Sequence, residues 1–259
     1  MGHTITAELP KTQKWNRVLS LMQAPFCDHV TIASATVDAA ERRLLALRGD
    51  RSLTYSFWLL TRLATAARGD DFRADLERLG IAVYEGDHVL SLLARVNDRV
   101  TDELARFPES GPFGDISSLS VRRALTDTLG AQNLSLFGST VDDLAEAFRT
   151  HSTAAQFGEL ATRFFGDFYA RTLRYYIDRA IPASLTSEGG LQSIDDAQVF
   201  SDALDRHARE SARIVERFAS EWFVKHHGLH GGPISRDEVE RFNAHAMRKL
   251  RKELLVDAS

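Results

Sequence analysis

Apolar residues recur at helical spacing through the last third of this chain, and that periodicity constrains the fold more than any other feature. Two runs of about thirty residues, Ser152 to Ile181 and Ser193 to His227, are followed by a third from Ser235 to Leu255. Each opens on a residue able to cap a helix N-terminus, and the first two close at Pro182 and Gly228. The pattern predicts an all-α chain, a multi-helix bundle with three long C-terminal helices. The buried face of the middle run reads Phe200, Leu204, His207, Ser211, Val215, Phe218 and Trp222, and that of the last reads Val239, Phe242, Ala246, Leu250 and Leu254.

Upstream, the same logic gives shorter helices over Val37 to Arg48 and Ser52 to Arg68, then one after Asp70. From Asp87, Val89, Leu92, Val96, Val100 and Leu104 define another amphipathic run. β-branched character is confined to residues 29-33 and 81-84, which predicts at most a minor β-hairpin or extended segments there. Two prolines and two glycines between Phe107 and Gly114 make the clearest break. It separates an N-terminal helical subdomain, 1-107, from a C-terminal long-helix bundle, 115-259, within what can also be one continuous domain.

Composition removes several classes of function. With 44% hydrophobic residues, the 259-residue chain can bury a core without disulfide staples. Its net charge of -4 gives no whole-molecule attraction to nucleic acid or to an acidic membrane, so such a partner needs a local patch. Cys27 is the only cysteine, which excludes an internal disulfide and a thiolate cluster and fits a reducing cytoplasm. The first residues lack the apolar core of an export signal, and no apolar run is long enough to span a bilayer. The arginine-rich helical composition suggests a bacterial source. No phosphate loop, dinucleotide fingerprint or nucleophile elbow is present, and no cofactor is called for.

Three clusters remain as candidates for chemistry. His226, His227 and His230 lie in a glycine-rich stretch that offers imidazoles to a metal ion, although cations at a helix C-terminus are also favoured by the helix dipole. His207 and Ser211 interrupt an apolar face one turn apart, as a catalytic pair in a helical cleft would, or as a self-satisfied core pair. Arg241, Arg248, Lys249, Arg251 and Lys252 give the last helix a cationic edge suited to a phosphate backbone or to an acidic protein surface.

The aromatic density of Phe164 to Tyr176 exceeds the 9% average of the chain, and aromatic residues are favoured at interfaces. The sequence therefore points first to a non-enzymatic helical adaptor or subunit of a bacterial cytosolic multi-protein assembly. Its partner would be another protein subunit or a second copy in a homodimer, with no membrane involved. The alternatives are a nucleic-acid-binding component using the basic C-terminal helix and an enzyme with a His-containing helical cleft.

Overall fold

The structure, a computed structural model, describes residues 12-24, 28-69, 71-131, 140-184, 191, 193-228 and 233-256. Its first half holds α1 (Gln13–Met22), α2 (His29–Ala39), α3 (Glu41–Ala46), α4 (Arg51–Ala66), α5 (Phe72–Arg78) and α6 (Val89–Leu104). The second half holds α7 (Pro112–Ala131), α8 (Val141–Thr150), α9 (Ala154–Ile177), α10 (Ile181–Ser184), α11 (Ile194–Ser211), α12 (Ile214–Phe223) and α13 (Arg236–Val256). The fold is all-α, and among the described residues the β-like pairing consists of one isolated antiparallel bridge, His88 with Thr140.

Residues 29-33 differ from the extended expectation: they open α2. The carboxylate of Asp28 accepts from the backbone N–H groups of Val30 and Thr31, and those end bonds override the modest β preference of Val, Thr and Ile. Residues 81-84 carry no regular secondary structure and join no ladder. The middle long run is two helices, α11 and α12, separated by a tight turn in which Val215 N–H donates to the Ala212 carbonyl. Pro112 starts α7, as suits a residue with no N–H to lose in a first turn.

α9 is the axis of the molecule and packs against α7, α11 and α12. Its rings meet Phe57 of α4 and Phe242 of α13 in one aromatic cluster, with Phe57 5.0 Å from Phe165 and 5.1 Å from Phe242 between ring centroids. Phe164, Phe165, Phe168 and Tyr169 are fully buried, so the aromatic surplus read as an interface signal is core. Buried residues on both sides of the Pro/Gly-rich break at 107-114 belong to a single hydrophobic cluster.

Two buried carboxylates fasten this core. Asp167 on α9 has no exposed surface, and it accepts from Ser120 of α7 at 3.0 Å, Arg171 at 2.5 Å and Arg209 of α11 at 2.8 Å. Glu103 on α6 accepts from Arg99 at 3.1 Å, and it pairs with Arg106 at 3.2 Å and Arg236 of α13 at 3.2 Å. Burial raises the Glu103 pKa, but the guanidiniums outweigh it and hold the carboxyl below its ordinary value of 4.5.

Candidate nucleic-acid interface

α13 is built from two opposed faces. Val239, Phe242, Asn243, Ala246, Met247, Leu250 and Leu254 are buried against the bundle. Arg241, His245, Arg248 and Lys252, spaced four, three and four residues apart, fall on the opposite side, with Lys249 flanking them. At the rise of an α-helix this stripe is about 16 Å long. Of the acidic residues of α13, Asp237 and Glu238 lie in the first turn, where they complement the positive end of the helix, while Glu240 and Glu253 neighbour the two ends of the stripe in sequence.

The five basic residues singled out in the sequence do not share one role. Arg251 is half-buried and pairs with Glu41 of α3, tying α13 to the bundle. Arg241, Arg248, Lys249 and Lys252 are exposed and make no ion pair among the described residues. Arg248 instead donates to His245 Nδ1 at 2.9 Å. Burial first, then the charges of Arg248 and Lys249, depress the His245 pKa below its ordinary 6.5. His245 is therefore a neutral acceptor within the stripe at pH 7, orienting Arg248 rather than adding charge.

At its N-terminal end the stripe runs into a cleft of about 450 Å³ between α12 and α13. Half-buried Phe218 and Trp222, together with Phe242, form the apolar part of its wall, and Lys225, His226 and Arg241 surround it. Trp222 lies 4.6 Å from Phe242 and 5.1 Å from His226 between ring centroids. Two carboxylates also line it, and each has its own partner. Glu221 accepts from Arg217 at 3.2 Å, and Glu238 accepts from the Ser235 backbone N–H at 2.8 Å and hydroxyl at 2.7 Å. The Ser235 bonds keep the Glu238 pKa low, so it serves as a helix cap rather than a proton donor.

His226 sits in the π-helical turn Val224–Gly228, and its Nδ1–H donates to the Trp222 carbonyl at 2.9 Å. The side chain of His227 and the whole of His230 lie outside the described residues. Among the described residues no group of three His, Cys, Asp or Glu side chains is placed to hold a metal ion. His207 and Ser211 share the buried face of α11 as expected, but the Ser211 hydroxyl donates to the His207 carbonyl at 2.9 Å. That bond occupies the serine proton on the helix backbone, one turn away, rather than on the imidazole. His207 stands edge-on to the His29 ring, with centroids 6.1 Å apart.

His245, Lys225 and the Phe218–Trp222 wall are absent from the sequence candidates. The spacing of 241, 245, 248 and 252 was the signal for the first, since it places His245 in the same row as the arginines. The cleft wall needs α12 and α13 side by side and has no local signature.

No helix among the described residues is long and apolar enough to cross a membrane. Compared with known proteins, the chain matches no family model, no curated protein and no solved structure.

Proposed function

We propose that this chain is a non-catalytic helical component that binds single-stranded nucleic acid along the outer face of α13. One observation carries the reading: four exposed cations that make no ion pair among the described residues, Arg241, Arg248, Lys249 and Lys252, lie away from the buried face of one helix, and Arg241 at the end of their row lines an aromatic cleft. Guanidinium and ammonium groups in a row match the repeat of backbone phosphates, and the rings of Phe218 and Trp222 offer a surface on which an unstacked base can rest. A net charge of -4 opposes non-specific attraction over the molecule as a whole, so binding depends on a local cationic patch such as this one.

The adaptor reading ranks below it. Its main support was the aromatic run from Phe164 to Tyr176, most of which is enclosed in the core. An acidic protein surface meeting the same stripe is the competing partner, and the lone cysteine supports a reducing compartment for either.

Fluorescence anisotropy of labelled single-stranded oligonucleotides with the full chain tests the proposal. Binding is expected at low salt, with log affinity falling against log salt at a slope of about -3, as four phosphate contacts would give. Replacing Arg241, Arg248, Lys249 and Lys252 together by Gln is expected to weaken binding by about a hundredfold at low salt and to flatten that slope. Absence of binding at low salt, or the same affinity in the four-site variant, would sink the reading. A duplex held more tightly than a single strand would overturn its single-strand part.

A further inference from the structure

A second cationic cleft, remote in sequence from α13, lies where the start of α1, the α2–α3 junction, the start of α7 and the end of α9 converge. Its volume of about 490 Å³ falls within the range of small-molecule sites. Arg42, Arg43 and Arg179 line it, no carboxylate does, and none of the three makes an ion pair among the described residues. The remaining wall is aromatic: Trp15, Phe113, Tyr175 and Tyr176.

Two of the guanidiniums, Arg43 and Arg179, are held by rings rather than by counter-charges. Arg179 lies 3.6 Å over the Tyr175 ring, and Arg43 lies 5.9 Å over Phe113. A guanidinium stacked on a ring keeps its in-plane N–H donors pointing outward, in the fork that matches phosphate or carboxylate oxygens. Trp15 and Tyr176 support that wall from behind, with ring centroids 5.0 Å apart and both side chains largely buried, so its shape is preset. Concentrated positive charge without carboxylates selects an anion, and an aromatic lining favours one that carries a planar group.

We propose that this cleft binds a nucleoside phosphate, its phosphate gripped by Arg42, Arg43 and Arg179 and its base lying against the half-buried Tyr175 side. The site is separate from the α13 stripe and does not depend on that reading. An inorganic phosphate shares half of this chemistry and a nucleoside the other half, so both serve as probes.

Isothermal titration of the full chain with AMP, GMP, CMP and UMP, and separately with adenosine and inorganic phosphate, tests the assignment. Mononucleotides are expected to bind, and adenosine and phosphate to bind at least about tenfold more weakly, since each forgoes one class of contact. Arg42→Gln alone is expected to weaken nucleotide binding about tenfold, and Arg42→Gln with Arg179→Gln to weaken it further, with an unchanged circular dichroism spectrum. A variant with Gln at Arg241, Arg248, Lys249 and Lys252 is expected to keep wild-type nucleotide affinity. The proposal fails if no mononucleotide gives heat at millimolar concentration, or if phosphate alone binds as well as the nucleotides. It fails equally if the Arg42 and Arg179 variants bind like wild type, or if the four α13 substitutions abolish nucleotide binding.

Discussion

Glu103 shows how much one buried side chain can matter here. Its carboxylate is only 4% exposed and is shared by Arg99, Arg106 and Arg236, which belong to two helices and the segment between them. Glu103→Gln keeps the shape but leaves these guanidiniums without their counter-charge, and is expected to cost about 2 kcal/mol, read from the urea midpoint. The control is Asp127→Asn, which breaks an exposed pair with Arg123 on α7 and is expected to cost less than about 0.5 kcal/mol. Equal losses in the two variants would show that the Glu103 cluster has no special weight. Neither difference is visible in the sequence, where both carboxylates stand four residues from an arginine on an amphipathic helix. The difference is burial, and burial is set by what lies across from the helix.

Helix pairing in this molecule turns on two glycines of α9. At Gly158 a methyl group would come within 2.7 Å of the Glu216 carbonyl on α12, and at Gly166 it would come within 3.3 Å of Ala212. Close approach at both points explains why the apolar run from Ser193 to His227 does not continue as one rod. The chain turns at Ala212 and Arg213 so that α11 and α12 can each lie on α9, although neither residue is a helix breaker. Gly158→Ala is expected to force α12 away and to cost about 2 kcal/mol by thermal or chemical denaturation, against the gain of a few tenths to about 1 kcal/mol that Gly to Ala gives in an unhindered helix. Measured stabilisation would mean that α9 and α12 are not in contact at this point. The caps were the more readable part of these elements: Ser193 opens α11, Thr140 closes a capping box with Asp143 on α8, and Ser235 with Glu238 starts α13. Asp28 shows the limit of that reading, since its cap converts a β-branched stretch into helix α2.

At the scale of the whole molecule, stability should depend on pH in two steps. His151 is buried, donates through Nδ1–H to the Ala147 carbonyl at 2.9 Å, and faces Arg163, which stands 3.5 Å from its Nε2. Burial is the largest cause of its depressed pKa, and Arg163 adds to it. Below the unfolded value of 6.5 the unfolded chain takes up a proton that the folded chain refuses, so stability begins to fall there. Glu103 also has a depressed pKa, and its contribution is present above 4.5 and is lost as pH falls through its lower folded value. Urea midpoints measured from pH 8 to pH 3 are expected to decline below about 6.5 and again below about 4.5. A midpoint that stays flat from pH 8 to pH 5 would contradict the His151 assignment, and one that stays flat from pH 5 to pH 3 would contradict the Glu103 assignment. The all-α class, the extents of α9 and α13 to within a few residues and the opposed faces of α13 are properties of local sequence. Helical periodicity and caps act over a few residues, and the periodicity is strong here. Only the tertiary structure decided that Arg251 is consumed by Glu41 while Arg248 and Lys252 stay exposed, and that the rings of α9 are core rather than interface. It alone brings Trp15, Arg43, Phe113 and Arg179 around one cleft. Pairing and burial depend on groups far apart along the chain, and a local pattern carries no record of which distant side chain will face it.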